Sequence, residues 1–323
     1  MNNLKQISLS SIEGIKIGHA QNEEHATGCT VIVCENKAIC GVDIRGGGPA
    51  SRETELLNPK MSNDGINALL LGGGSAFGLD AAGGIMKYLE EKGKGVQVGD
   101  VVVPIVVGSC IFDLGCASSS VRPDAQMGYE ACLNSEKNIE QNGNIGGGMG
   151  ATVGKFMGAE RSMKSGVGSY AVEVGNVKIG AIVIVNAIGD VYEVDSNNEL
   201  AGLLSYDKSH MVSSEDELIK MLSLANSSPL NTTIGAIITN VKMDKAQANK
   251  LAQMASNGIV RTIRPVNTSM DGDSVYALSV GNVEFNHDIL GSIASFVMAK
   301  AINNAVINAD EAYGLKSAKS FLK

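Results

Sequence analysis

The sequence predicts a layered α+β fold, and three observations carry that expectation. Apolar runs of strand length recur along the chain, amphipathic helical segments lie before and after them, and no linker is long enough to separate independent units. Residues 1–323 are therefore expected to form one domain, 44% hydrophobic and able to bury a large core.

The elements follow in order. Residues 30–33 and 38–44 read as short strands, leading into the loop Arg45-Gly46-Gly47-Gly48-Pro49 and a polar segment over 50–55. Residues 66–71 form an apolar run that ends in Gly72-Gly73-Gly74. Ser75 is then placed to N-cap a helix whose apolar face is Phe77, Ala81, Ile85, Tyr88 and Leu89, stopped near Gly93. Residues 101–107 read as a buried strand, and 123–134 as a helix opened by Pro123.

In the middle of the chain, 169–174 and 177–187 flank Gly175-Asn176, the pattern of a hairpin with a two-residue turn. Residues 215–224 suit a short amphipathic helix, followed by the polar linker 225–230 and a strand over 234–241. A helix is expected over 244–257 with Gly258 as its C-terminal stop, then a short segment over 260–266 and a strand over 274–280. The last helix, 287–309, turns Leu290, Ile293, Phe296, Val297, Ala301 and Val306 inward.

Composition excludes several functions. A formal charge of −8 and a pI near 5.1, with no basic stripe, argue against a nucleic-acid partner. No apolar run reads as long enough to span a bilayer, so no membrane partner is expected. The six cysteines form no C-x-x-C pair and the first residues hold no apolar export core, which points to reduced thiols and the cytoplasm. The four histidines are spaced for no metal site, and the run from Gly146 to Lys155 fails the phosphate-loop pattern at Met149 and Phe156, so no cofactor is expected.

Chemistry concentrates at Asn231-Thr232-Thr233, where the polar linker meets the apolar run Ile234-Gly235-Ala236-Ile237-Ile238. If the peptide bond before Thr232 breaks, one residue carries both a nucleophilic hydroxyl and an α-amine of pKa about 7.7–8.0 that can serve as its base. The plainer alternatives are a hydroxyl at a strand entry, or a glycosylation acceptor that lacks an export signal to use it. Asp271 and Asp273 lie two apart on a loop entering a strand. They suit electrostatic support of a threonine hydroxyl and its amine, or simply a tight Asp-Gly turn, and as loop carboxylates they are expected to add little to packing. Asn186 ends a strongly apolar strand, as an oxyanion amide or a strand-end cap would; Lys155 after the glycine run reads as a solvated lysine.

Together these residues resemble the P1 family of autoprocessed peptidases, which holds the L-aminopeptidase D-amidase/esterases and β-aminopeptidases, and more particularly its nylon-oligomer hydrolase branch. The resemblance runs nearly full length, through Gly14-Ile15-Lys16-Ile17-Gly18-His19, Ser51-Arg52-Glu53-Thr54-Glu55-Leu56-Leu57, Gly72-Gly73-Gly74-Ser75-Ala76-Phe77-Gly78-Leu79-Asp80, Ala151-Thr152-Val153-Gly154-Lys155, Val185-Asn186-Ala187, Asn231-Thr232-Thr233 and Asp271-Gly272-Asp273.

The resemblance implies an N-terminal-nucleophile hydrolase built as a four-layer αββα sandwich, a single catalytic domain cut between Asn231 and Thr232 into 1–231 and 232–323. It also implies Thr232 as nucleophile, Asn186 on the oxyanion side, Lys155 beside the nucleophile, and Asp271 and Asp273 as the nylon-hydrolase aspartate pair. β-Aminopeptidases carry serine and glutamate at that pair, and their oxyanion tyrosine has no counterpart in Gly108-Ser109-Cys110-Ile111-Phe112, so β-aminopeptidase activity is not expected. The implied substrates are small peptides or oligoamides, and the implied assembly is a homo-oligomer, a tetramer. An acyltransferase of the ornithine acetyltransferase type and a non-catalytic binding protein on the same scaffold are the alternatives.

Overall fold

The computed structural model describes residues 4–221 and 231–322, so the linker 225–230 and the end of the helix expected over 215–224 lie outside the described residues. Among the described residues, ten strands join in one hydrogen-bonded sheet, nine of them along a single path: β1 (Lys5–Ile7), β2 (Ile15–Asn22), β3 (Thr27–Ile44), β4 (Ala50–Arg52), β5 (Ile66–Gly72), β6 (Val106–Cys110), β7 (Val167–Val174), β8 (Val177–Asn186), β9 (Thr232–Val241) and β10 (Ser274–Val283). Their order is β1-β7-β8-β9-β10-β3-β5-β6-β4, with β2 also on β3. All neighbours are antiparallel except β9 with β10 and β5 with β6.

The path bends at β3. The two short strands expected over 30–33 and 38–44 are one strand of 18 residues, whose register with β5 shifts between Val33 and Ala38. Its first half pairs with β2 and β5 in one layer, and its second half pairs with β10 in the other. Period-2 alternation then sorts its side chains: Val31 and Val33 face one core, Ile32 and Cys34 another.

Helices cover both outer faces. The helices α1 (Ala81–Glu91) and α2 (Ala125–Ser135) pack on the β2-β3-β5-β6 layer. On the other side α4 (Lys245–Thr262) and α5 (His287–Ile307) cover the β7-β8-β9-β10 layer; α3 (Ser214–Met221) precedes the linker. Three apolar cores result among the described residues. One lies between the two sheets, built from Ile32, Leu69, Ile182, Ile234, Ile238 and Tyr276, and one lies under each helical layer. Three cores between successive layers make the four-layer αββα sandwich. Each fully buried aliphatic side chain in them contributes about 1.5–3 kcal/mol relative to exposure.

Several local expectations change. Ser75 does not cap α1: residues Ser75–Asp80 form a 3-10 turn, and α1 starts at Ala81. Phe77 therefore leaves the apolar face and is 58% exposed, with the Arg122 guanidinium stacked 3.9 Å from its ring centre. The run over 101–107 is also two elements. Val101–Val103 pairs with Val96–Val98 in an outlying hairpin, and only Val106–Cys110, beyond Pro104, enters the core.

The helix α2 begins two residues after Pro123, capped by Asp124, whose carboxylate accepts from Met127 N at 2.9 Å. Gly258 does not stop α4, which runs on to Thr262. A Cβ on Gly258 would lie 2.4 Å from the Ser295 carbonyl oxygen, so glycine stands there to let α4 and α5 touch. α5 has 21 residues and is long and apolar enough by length and composition to cross a membrane, contrary to the sequence expectation; 78% of its most apolar stretch is instead buried inside the protein.

Candidate active site

The register of β8 and β9 places Asn186, the last residue of one strand, opposite Thr232, the first residue of the other. Thr232 is buried, and its hydroxyl donates to the carbonyl oxygen of Asn231. That carbonyl also accepts from Gly272 N at 2.9 Å, while Asn231 N donates to Met270 O at 3.2 Å. Asn231 and Asp271 thus form a short parallel bridge that holds the Asn231–Thr232 peptide bond against the aspartate loop.

The loop is built around its two carboxylates. Asp273 accepts from Thr233 N at 2.6 Å and from Asn267 N at 3.0 Å, and Asp271 accepts from Thr268 N at 2.7 Å. Both are buried and hydrogen-bonded, so they do more to hold the loop together than the small packing role expected from the sequence. Burial pushes both carboxyls up from the usual range; the neighbouring Asp271 adds to the rise at Asp273, while Thr268 and Lys155 oppose it at Asp271.

The glycine loop after β3 supports this arrangement, a role that the sequence alone does not assign. Gly48 N donates to Asp271 O at 2.8 Å, and Arg45 N donates to Asp273 O at 3.0 Å. A Cβ on Gly46 would sit 2.3 Å from Asp271 O, so the two backbones meet only because residue 46 has no side chain. Three consecutive glycines between strands were the signal.

Lys155 is not solvated. It is buried, and its Nζ donates to Asn186 Oδ1 at 2.6 Å and to Asn186 O at 3.0 Å. Thr152 N donates to the same Oδ1 at 3.1 Å, so two donors fix the amide orientation and turn Nδ2 toward Phe112 O at 3.0 Å. Burial pulls the Lys155 ammonium down to about 7, against the opposing charges of Asp271, Cys116 and Asp113.

Two further buried groups complete the surroundings. Asp113 accepts from Gly74 N at 2.6 Å and from the Thr27 hydroxyl at 2.8 Å, which fastens the Gly72-Gly73-Gly74 turn. Lys164 donates to the carbonyls of Gly148, Ala151 and Ser165 and so holds the glycine run that leads to Lys155; burial lowers its ammonium to about 8. Neither residue carried a sequence signal beyond its type. A cavity of about 160 Å³ lined by Phe112, Asp113, Cys116, Thr152, Lys155 and Leu315 adjoins the Lys155–Asn186 pair.

The site residues expected from the sequence therefore fall into two adjoining groups. Asn231, Thr232, Asp271 and Asp273 form one, Lys155 and Asn186 the other, and the 186–232 register joins them. Among the described residues, no group of three or more His, Cys, Asp or Glu side chains is placed to hold a metal.

The chain matches the family model described as peptidase family S58 over residues 8–320. It is 34% identical to an uncharacterized aminopeptidase of Mycobacterium leprae, over 95% of this chain and 92% of that protein. It is 30% identical to a 6-aminohexanoate-oligomer endohydrolase of Paenarthrobacter ureafaciens, over 90% of this chain and 84% of that protein. Among solved structures, the L-aminopeptidase D-Ala-esterase/amidase of Ochrobactrum anthropi superposes with a TM-score of 0.69 at 19% identity, covering 94% of this chain and 86% of that one. A Burkholderia sp. beta-aminopeptidase superposes with a TM-score of 0.66 at 18% identity, over 95% and 89% of the two chains. Both likenesses concern the fold.

Proposed function

The chain belongs to peptidase family S58 and is an amide-bond hydrolase, and from that premise we propose that it matures by cutting itself between Asn231 and Thr232. The observation that carries the proposal is the convergence of the Thr232 hydroxyl on the Asn231 carbonyl, in a buried site at a strand end. The hydroxyl oxygen adds to the carbonyl carbon, the C–N bond breaks, and the hydroxyl proton ends on the released α-nitrogen. Water then hydrolyses the Asn231 ester, giving fragments 1–231 and 232–323.

In turnover, Thr232 Oγ attacks a substrate amide with its own α-amine as base. Asn186, held by Lys155, presents its remaining amide hydrogen to the oxyanion, and Asp271 and Asp273 orient the hydroxyl and the new ammonium. Small peptides or oligoamides with a free amine are the proposed substrates, since the buried aspartate pair favours a cationic group. Free-amine aminohexanoate oligomers assayed against their N-acetylated forms test this, and equal rates would remove the electrostatic argument.

A homo-oligomer of processed units, a tetramer, is part of the proposal. The outlying hairpin supports it, because Val98 and Val101 are 60% and 54% exposed on a two-stranded element that has little packing of its own. Light scattering that gives a monomer at micromolar concentration would count against it. The six cysteines all carry free thiols, which fits a reducing compartment such as the cytoplasm. Intact mass of the purified protein is the direct test of maturation: two fragments are expected, and a chain that stays whole after prolonged incubation would overturn the proposal.

A further inference from the structure

We infer that the backbone N–H of Gly272 is the oxyanion donor for self-cleavage, an inference that rests on the maturation proposed above. The Asn231 carbonyl oxygen is where negative charge develops when Thr232 Oγ adds to the carbonyl carbon. Gly272 N already donates to that oxygen at 2.9 Å, and the Thr232 hydroxyl reaches the same atom. Donor and nucleophile therefore converge on one carbonyl before any bond forms.

The donor is fixed from both sides. Asn231 N donates to Met270 O at 3.2 Å, so the peptide unit is pinned in register with the loop. Gly48 N donates to Asp271 O at 2.8 Å, which clamps the 271–272 peptide whose N–H does the work. A preformed donor in a buried site needs no reorganisation as charge develops.

Position 272 admits glycine only at close quarters. A Cβ there would lie 2.9 Å from Thr232 Oγ, 3.0 Å from Gly48 O and 3.2 Å from Pro49 Cα. Any side chain would press on the nucleophile itself. In the uncut chain the Asn186 amide is held by Lys155, Thr152 and Phe112 O, whereas Gly272 N already donates to the Asn231 carbonyl.

The atoms balance without an added reagent other than water. The Thr232 Oγ–C bond forms, the Asn231 C–N bond breaks, and the hydroxyl proton passes to the leaving nitrogen. Gly272 N–H contributes no proton and only stabilises the intermediate oxyanion.

The test removes one hydrogen. Glycolic acid is incorporated at position 272 during translation, turning the 271–272 amide into an ester that keeps its shape and lacks the N–H. Conversion of precursor into fragments 1–231 and 232–323 is followed by intact mass, with circular dichroism and thermal melting to confirm folding. A folded precursor that cleaves roughly 10²–10³-fold more slowly than the all-amide chain is the expected result. A folded ester chain that cleaves at the normal rate overturns the inference and leaves Thr232 as nucleophile. The Gly272→Ala chain keeps the N–H but crowds Thr232 Oγ; slow cleavage there beside normal cleavage of the ester chain assigns residue 272 to space alone and overturns the donor role. A Thr232→Ala chain that cleaves like wild type overturns both the inference and the maturation reading beneath it.

Discussion

Asn186 and Thr232 face each other as the final antiparallel pair of β8 and β9, and the Asn186 side chain is held there by the buried amine of Lys155. Strand pairing thus sets the distance between the expected nucleophile and the expected oxyanion amide. The register of a sheet, not a loop, carries the site's precision.

Thr232→Ala should remain a single chain, while the wild-type protein yields a smaller fragment whose Edman sequence begins Thr-Thr-Ile-Gly. Any other N-terminus would move the cut away from Asn231.

Asn186→Leu removes the side-chain oxygen that accepts from both Lys155 Nζ and Thr152 N. Thr152 N is left without this acceptor and Lys155 Nζ keeps only the backbone carbonyl of residue 186, which costs roughly 1–3 kcal/mol for the neutral group and more for the charged one. Denaturant unfolding of the uncut Thr232→Ala form measures the loss. An unchanged midpoint would mean that water replaces Asn186.

Asp273→Ala should destabilise as well as inactivate. The carboxylate accepts from Thr233 N and Asn267 N, and its loss leaves one buried and one half-buried donor without this acceptor. A drop of about 2 kcal/mol or more is expected, together with cleavage slowed by orders of magnitude. A variant of wild-type stability would restore the simple turn reading of the loop.

Gly258→Ala sets two effects against each other. Alanine gains about 1 kcal/mol of helix propensity over glycine, but its Cβ would meet the Ser295 carbonyl at 2.4 Å. Forced overpacking costs about 1–3 kcal/mol, so a net loss of stability is expected by thermal melting. A gain would show that α4 and α5 can part at little cost.

Lys155 and Lys164 should each contribute stability to the Thr232→Ala form that rises with pH between about 7 and 8.5. Burial holds Lys155 near 7 and Lys164 near 8, below the ordinary lysine value of 10.5, so in this window these two residues bind more protons in the unfolded chain than in the folded one. Each such group adds up to about 1.4 kcal/mol per pH unit. The raised carboxyls of Asp273 and Glu199 near pH 7, and the six raised thiols as their unfolded forms begin to ionise toward pH 8.5, work in the opposite sense, so the lysine share is read from the difference between variants. Lys155→Met should flatten the part of the slope that Lys155 supplies and leave that of Lys164.

Hydrophobic period made most of the fold legible. The hairpin around Gly175, the strand from Ile234 and the inward face of α5 all follow from alternation or helical spacing, and the structure has them. The misses have local causes. Pro104 divides a valine run that reads as continuous, and a positive φ at Ser75 takes that residue out of a capping role.

The candidate site was legible to the extent that Thr232, Asn231, Asp271 and Asp273, singled out by type and position, are brought together in the fold. The burial of Lys155 was not, because what packs over a lysine is decided elsewhere in the chain and leaves no mark in the local sequence. The same holds for Asp113 and Lys164, which fasten glycine turns from distant parts of the chain.

The strand order has a kinetic consequence for a chain cut before Thr232. β9 and β10 belong to the downstream fragment, yet they lie between β8 and β3 of the upstream one. Neither piece can leave without breaking ladders on both sides, so the cut form should melt as a single cooperative unit. Once melted, it must find its partner by diffusion: refolding becomes second order in protein and slows on dilution, whereas the uncut chain refolds at a rate independent of concentration.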